Sequence, residues 1–169
     1  MFENLKEDYK TYNGKIFAPG FRVMVVYRFG RWRYKFKNSL VRKPLSMFYK
    51  FLFVRIINKT GIELPCEVVV GKGFRIDHHS GVVVSGYAQF GNSCVIRNGV
   101  TIGLKNVDVP KAPKIGNNVD IGAGAKILGD ITIGDNVTVG ANAVVLNNVP
   151  SNCLVVGIPA RIIPRGKED

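Results

Sequence analysis

The sequence predicts an all-β fold, a parallel β-helix, joined to a basic α-helical segment at its N-terminus. An aliphatic residue recurs at every sixth position of one long stretch: Ile115, Ile121, Ile127, Ile133, Val139 and Val145. An α-helix has about 3.6 residues per turn and does not match this period, which is typical of short strands stacked into coils. Charge marks the N-terminal segment, because residues 1–60 hold 14 of the 24 lysines and arginines but only three of the 12 acidic residues.

Size and composition favour a single domain. The chain has 169 residues, 46% of them hydrophobic, which is enough for a substantial core. The opening stretch is charged, and no apolar run reaches the roughly 18 residues of a membrane span, so we expect neither a secretory signal nor a transmembrane helix. We therefore expect a cytoplasmic protein. Cys66, Cys94 and Cys153 match no zinc or disulfide spacing, and we expect three free thiols.

The basic segment, residues 1–60, interleaves aromatic and cationic side chains. Asn38-Ser39 and Pro44 divide its main part into two expected helices, 20–36 and 44–58. The segment has three interpretations: a helical cap on the β-helix, a surface of residues 20–59 that contacts anionic membrane at the inner face, or a nucleic-acid site. No groove-reading motif accompanies the charge, so we expect no nucleic acid. Residues 61–164 would form the β-helix, and residues 165–169 a polar tail.

Two irregularities interrupt the repeat. The aliphatic positions before Asp77 and those after Val84 are offset by two residues, so the repeat slips between them. The second irregularity is the stretch GLKNVDVPKAPK, residues 103–114, whose prolines and lysines predict a loop extruded from a corner. About five coils fit the remaining length if each coil uses three six-residue units.

The slip contains the only two histidines of the chain, His78 and His79. Histidine is the side chain best suited to accept a proton near neutral pH, although a structural turn residue is the alternative. Asp77 is adjacent, and Glu63 lies fifteen residues earlier, nearly one coil away, where it could orient one ring. No serine or cysteine nucleophile is evident, which favours direct attack by a substrate hydroxyl. Two histidines cannot supply a three-histidine zinc site, so we expect no metal.

Two parts of the β-helix region resemble a known family. IGNNVDIGAGAKILGDITIGDNVTVGANAVVLNNVP, followed by VVGIPARII, resembles the C-terminal half of the hexapeptide-repeat acyltransferases. FRIDHHSGVVV with IRNGVTIG resembles their serine acetyltransferase branch. The short length and the basic, aromatic N-terminal segment are more similar to small members from polysaccharide gene clusters, such as the colanic acid acetyltransferases. The resemblance implies a left-handed β-helix, a homotrimer, and acetyl-CoA bound in a groove between neighbouring subunits.

The resemblance also implies roles for particular residues. His78 matches the catalytic base, and Glu63 matches the carboxylate that orients it. Asp77 and His79 are expected to contact the acceptor. The residues expected to contact acetyl-CoA are Gly103, Lys105, Ala123, Ala141 and Arg161, with Lys111 as a weaker candidate on the extruded loop.

Two departures from the serine acetyltransferase pattern concern the acceptor. The chain has Ser85-Gly86 in place of a Gly-Glu pair, and Lys111-Ala112 in place of an Arg-His pair. We therefore expect an O-acetyltransferase acting on a sugar hydroxyl, free or lipid-linked, in capsule, exopolysaccharide or O-antigen synthesis. The alternatives are a serine O-acetyltransferase of cysteine synthesis and a non-catalytic β-helical assembly protein.

Overall fold

A computed structural model of the chain describes residues 2–106 and 108–165. It confirms the predicted parallel β-helix of about five coils, with a helical N-terminal segment and an extruded loop. The strands, in chain order, are β1 (Ile62–Glu63), β2 (Val69–Val70), β3 (Arg75–Asp77), β4 (Val82–Val84), β5 (Gln89–Phe90), β6 (Val95–Arg97), β7 (Thr101–Gly103), β8 (Lys114–Ile115), β9 (Asp120–Ile121), β10 (Lys126–Leu128), β11 (Thr132–Ile133), β12 (Thr138–Val139), β13 (Val144–Val145), β14 (Cys153–Val156) and β15 (Arg161–Pro164).

The strands form three parallel sheets, which are the three faces of a prism. The first face has the order β1-β4-β7-β10-β13, the second β2-β5-β8-β11, and the third β3-β6-β9-β12-β14. Each coil therefore adds one short strand to each face. The last strand, β15, turns back and pairs antiparallel with β14, which closes the third face at the C-terminal end.

The six-residue repeat builds the core of the prism. All six aliphatic residues of the repeat between positions 115 and 145 are at most 4% exposed. The residues beside them in each strand point outward, as the two-residue alternation of a strand requires. Corners between the second and third faces carry asparagine, whose short amide tolerates the left-handed backbone needed there. Asn118, Asn136 and Asn152 have φ of 55°, 57° and 60°, and their side-chain amides hydrogen-bond along the stack at 3.2 and 2.9 Å.

Strand register locates both irregularities. In the regular part, Lys126 pairs with Val144, eighteen residues further along the chain. At the first coil, Ile62 pairs with Val82, twenty residues along, which confirms the two-residue slip. Thr101 pairs with Lys126, twenty-five residues along, so the extruded loop adds seven residues to one coil.

The N-terminal segment contains more helix than the sequence predicted. The helices are α1 (Phe2–Thr11), α2 (Pro19–Trp32), a short 3-10 helix (Arg33–Lys35) and α3 (Ser39–Thr60). The expected second helix, 44–58, was too short, because Asn38 caps α3 by accepting a hydrogen bond from the Leu40 N–H at 2.9 Å. Pro44 lies inside α3 near its start, where it removes one backbone donor on an exposed face.

A buried ion pair joins α1 to α2, and two hydrogen bonds fix α2 to the first coil. Arg28 on α2 donates to the Asp8 carboxylate at 2.8 Å, and both side chains are at most 6% exposed. Arg28 also donates to the Gly71 carbonyl, at 3.0 Å, and the Tyr27 hydroxyl donates to the Val68 carbonyl at 2.7 Å. The helices therefore cover one end of the prism. Within the described residues, no helix is long and apolar enough to cross a membrane.

Candidate active site

The two histidines are the two extra residues of the first coil. Asp77 pairs with Arg97, so the two strands end together. The Gly99 N–H donates to the Ser80 carbonyl at 3.0 Å, and one coil later the Gly124 N–H donates to the Asn98 carbonyl at 2.9 Å. Ser80 therefore occupies the corner position that Asn98 occupies in the next coil. Nothing separates Arg97 from Asn98, whereas His78-His79 separates Asp77 from Ser80.

The insertion pushes both imidazoles outward at the corner. His78 has φ of +61° and Ser80 has φ of +95°, both in the left-handed region that L-residues seldom adopt. Both histidines are exposed. Unusual backbone of this kind is found most often at functional sites. The sequence predicted the position of the insertion, and the structure shows that the inserted residues are the titratable ones.

A cavity of about 230 Å³ borders the histidines. Its lining comes from the third face and from the turn that joins α1 to α2: Thr11, Tyr12, Asn13, Lys15, Ala18, Pro19, Gly20, Arg75, Ile76, Asp77, His78 and His79. Two contacts hold the turn in place. The Ile76 N–H donates to the Tyr12 hydroxyl at 2.8 Å, and burial raises the pKa of that hydroxyl. A side chain at Gly20 would come within 2.6 Å of the Ile76 carbonyl oxygen, so only glycine permits this approach.

The N-terminal turn is the part of the site that sequence reasoning missed. Asn13 and Lys15 reach the histidines only because the helices fold back over the first coil, and no motif around them signals it. Asp77 is held by an ion pair with Arg75 at 2.9 Å, so its carboxylate is fixed beside the cavity. A substrate hydroxyl in this cavity would have amide, ammonium, guanidinium and carboxylate groups around it.

Glu63 lies on β1 of the first face, with its side chain exposed. Its neighbour across the sheet is Val83. Among the residues that the structure describes, no ring nitrogen of His78 or His79 is within 4.0 Å of a carboxylate oxygen. The predicted contact between Glu63 and His78 is therefore not formed in this single copy, and the role of Glu63 stays a prediction.

The residues predicted to contact acetyl-CoA lie on two different edges of the prism. Ala123 and Ala141 lie at corners between the third and first faces, directly along the edge that carries His78 in the first coil. Arg161, which is exposed, follows the last corner of the same edge. Gly103 and Lys105 lie at the next edge, between the first and second faces, where the loop leaves the prism.

The loop is fastened to the coil that follows it. Lys111 donates to the Asp130 carboxylate at 2.8 Å, and this hydrogen bond lowers the pKa of Asp130 and raises that of Lys111. Lys111 is thus engaged within the chain. Lys105 at the base of the loop is exposed and packs its Cβ near Gly129. Val107 lies outside the described residues.

The cysteines and the metal-binding side chains offer no second chemistry. Cys66, Cys94 and Cys153 are free and buried. Burial raises the pKa of the Cys94 thiol to about 11 and also raises the pKa of Cys66, so neither is a thiolate at neutral pH. Within residues 2–106 and 108–165, no group of three or more His, Cys, Asp or Glu is placed to hold a metal ion.

Comparison with known proteins gives the family. A family described as "Bacterial transferase hexapeptide (six repeats)" matches residues 112–147. The serine acetyltransferase of Synechococcus elongatus is 43% identical over 148 residues, which cover 87% of this chain and 58% of that protein. WcaB of Escherichia coli K12, named for an acetyltransferase of colanic acid biosynthesis, is 45% identical over 134 residues, which cover 78% of this chain and 80% of that protein. The chain belongs to the hexapeptide-repeat acetyltransferases.

A solved hexapeptide-repeat acetyltransferase extends the likeness to the helices. Serine acetyltransferase from Brucella abortus strain S19, in complex with coenzyme A, matches 96% of this chain with a TM-score of 0.80 and 32% identity. The match covers 67% of that protein. The chain thus spans about three fifths to two thirds of the length of these two serine acetyltransferases and four fifths of WcaB.

Proposed function

We propose that the protein is an acetyl-CoA-dependent O-acetyltransferase in which His78 is the general base. The observation that carries the proposal is the insertion: the only two histidines of the chain are the two residues added to a regular coil, and they border a cavity. An acceptor hydroxyl would give its proton to the imidazole while its oxygen attacks the thioester carbonyl. The C–S bond then breaks, the imidazolium returns the proton to the CoA sulfur, and an acetyl ester and CoA leave.

The geometry also supports a homotrimer, which we include in the proposal. The edge with His78, Ala123 and Ala141 and the edge with Gly103 and Lys105 lie on opposite sides of the first face. Within one copy of the chain, the first face therefore keeps the residues of the histidine edge apart from those of the loop edge. If copies associate edge to edge around a threefold axis, the loop of one copy lies beside the histidines of the next, and a groove for acetyl-CoA forms between them. A cytoplasmic location is part of the proposal, since acetyl-CoA is supplied there.

Two acceptors are candidates, and the comparisons favour L-serine. The Synechococcus relative and the Brucella structure are both serine acetyltransferases, and the latter match spans nearly the whole chain. Under this proposal Asp77 and Arg75, joined at 2.9 Å beside the cavity, are the charged groups available to the ammonium and carboxylate of serine.

A sugar hydroxyl is the second candidate, supported by the residues that differ from the serine pattern. At Gly86, where the serine acetyltransferases carry glutamate, an added Cβ would lie 3.2 Å from the Cβ of Glu67. Glu67 accepts a hydrogen bond from the Tyr34 hydroxyl at 2.9 Å, so a side chain at position 86 would press on a glutamate that is already engaged. WcaB, matched over 80% of its length, is a relative whose name points to polysaccharide synthesis.

The test of the base is the substitution His78→Ala, with His79→Ala as the matched neighbour. We expect His78→Ala to lower acceptor-dependent CoA release by at least about 10²-fold, the low end for general base catalysis. His79→Ala should retain most of the turnover. Near-normal thioester consumption by His78→Ala would contradict the role of His78 as the base. If His79→Ala loses turnover instead and His78→Ala keeps it, His79 is the base.

The test of the acceptor uses wild-type protein and two acceptor sets. Release of free CoA is measured with L-serine and, separately, with a panel of polysaccharide repeat fragments whose products are read by mass shift. Serine-dependent release with no sugar product selects the serine candidate, and the opposite result selects the sugar. Acetyl-CoA binding without turnover on either set would contradict both acceptors while leaving the donor assignment intact.

A further inference from the structure

The outward face of α3 is apolar, contrary to the usual orientation of a surface helix. Four side chains of this face, Leu40, Met47, Phe51 and Val54, are 81%, 73%, 59% and 56% exposed; we call them the α3 stripe. Their spacing of seven, four and three residues places them on one side of the helix. The buried residues of α3 are Tyr49, Ile56 and Thr60, which lie on the opposite side, against the rest of the protein.

Four cationic side chains of α3, Lys43, Lys50, Arg55 and Lys59, flank the α3 stripe, whereas Arg42 lies on the opposite side of the helix. The helix carries Arg42, Lys43, Lys50, Arg55 and Lys59, and it contains no aspartate or glutamate. Within the described part of the chain, none of the five takes part in an ion pair. The open surface at the C-terminal half of α3 combines both chemistries, since it is formed by Lys50, Phe51, Val54, Arg55, Asn58 and Lys59.

The turn between α1 and α2 extends the same surface. Ile16 and Phe17 are 50% and 79% exposed. Ile16 lines a second cavity, of about 310 Å³, together with Arg55 and Lys59 of α3. Apolar side chains from two parts of the chain therefore share one cationic border. Scattered apolar residues need no explanation, but a contiguous set of this kind marks a surface that another body covers.

We propose that the α3 stripe and its lysines and arginines dock the protein on an anionic lipid membrane. Apolar side chains of a helix lying in the interface enter the acyl boundary, while lysine and arginine reach the phosphate level on long stems. The charge of the surface favours a membrane over a second copy of the chain as the body that covers it. Two α3 surfaces placed face to face would bring four cations against four with no acidic residue of α3 between them, whereas anionic headgroups neutralise all of them. Because no described helix can span a bilayer, the attachment is peripheral.

The experiment is flotation of the full chain with vesicles of phosphatidylcholine, with and without 30 mol% phosphatidylglycerol. The wild type is expected to float with the anionic vesicles at low salt and to be released as salt rises. The double variant Lys50→Gln/Arg55→Gln should bind about thirty-fold more weakly, and Phe51→Ser/Val54→Ser should lose binding to a similar extent. Lys72→Gln/Lys114→Gln removes the same charge from exposed positions of the β-helix and should bind as the wild type does.

Three outcomes would overturn the inference. Absence of flotation with anionic vesicles at low salt would do so directly. Equal loss in the β-helix control and the α3 variants would mean that net charge alone attracts lipid. A larger assembly in solution that Phe51→Ser/Val54→Ser disperses, with no vesicle binding, would make a second copy the occupant. Circular dichroism and thermal melting confirm that each variant is folded, and all of the substituted side chains are exposed.

Discussion

The coil that carries the histidines and the coils near the C-terminal end use the same six-residue unit, yet they differ in length, surroundings and chemistry. The later coils repeat every eighteen residues, as Lys126 and Val144 show, and their corners are glycine, alanine and asparagine. The first coil takes twenty residues, places His78 and His79 at its corner and lies under the helices. Regular coils thus provide a rigid scaffold, and the departure from regularity places a titratable group where a substrate can reach it.

The contrast is sharpest along the single edge that runs through both regions. At successive corners of this edge the chain has Ser80-Gly81, preceded by the inserted His78-His79, then Asn98-Gly99, then Ala123-Gly124. Only the inserted histidines of the first corner can exchange a proton near neutral pH. Small residues at the later corners leave the backbone accessible. Under the proposed function, this suits a surface that binds acetyl-CoA but takes no part in the proton transfer.

The largest expected effect comes from making the first coil regular. Deletion of His78 and His79 would join Asp77 to Ser80 and restore an eighteen-residue coil. We expect turnover to fall by about 10²- to 10⁴-fold, the full contribution of a general base. Thermal stability should stay the same or rise, because the left-handed residue at His78 is removed. Thioester consumption and circular dichroism measure the two effects, and substantial remaining turnover would refute the role of the insertion.

Next in size is the buried ion pair between Asp8 of α1 and Arg28 of α2. Arg28→Met would leave the buried Asp8 carboxylate without its partner, so we expect the free energy of unfolding to drop by about 3–5 kcal/mol. Urea denaturation measures the change. The matched control is Asp8→Leu/Arg28→Met, which removes both charges and should recover most of the loss. If the double variant is no more stable than the single one, the ion pair is not the reason for the loss.

A smaller effect is expected in the regular coils. Asn136→Ala removes two amide hydrogen bonds and places alanine at φ of +57°, which costs about 1–2 kcal/mol of stability. Turnover should be unaffected. Asn136→Gly also removes the side-chain amide hydrogen bonds, but glycine adopts the left-handed backbone easily. The stability of this variant should therefore lie between that of Asn136→Ala and that of the wild type. If the Asn136→Ala and Asn136→Gly variants are equally stable, the left-handed corner imposes no strain on alanine.

The smallest effect concerns the extruded loop and its attachment by Lys111. The pKa of Asp130 is lowered from its ordinary value of about 3.9, so the ion pair favours the attached loop above that pH. Its contribution is lost as the pH falls through the lowered value. Both groups are exposed and screened, so we expect no change in global melting. After correction for the intrinsic pH dependence of amide exchange, the protection of the loop amides should fall in acid, and Lys111→Ala should show the lower protection above the pKa of Asp130.

Sequence alone could give the scaffold because its determinants are local. The aliphatic period, the corner asparagines and the position of the two-residue slip are all visible along the chain, and each has one structural consequence. The helices were harder: α1 was not expected, and α3 began five residues earlier than predicted because Asn38, rather than Pro44, sets its start. A proline in an exposed early turn is tolerated, which propensity by itself does not reveal.

The site divides in the same way. The sequence by itself determined the β-helix, the family and the two histidines, because a repeat and its interruption are properties of chain order. Only the tertiary structure decided that Asn13 and Lys15 wall the cavity, that Glu63 stands apart from His78 in one copy, and that α3 turns its apolar side outward. The reason is physical: these facts depend on how separate helices, strands and corners pack in three dimensions, and no local pattern along the chain encodes those contacts.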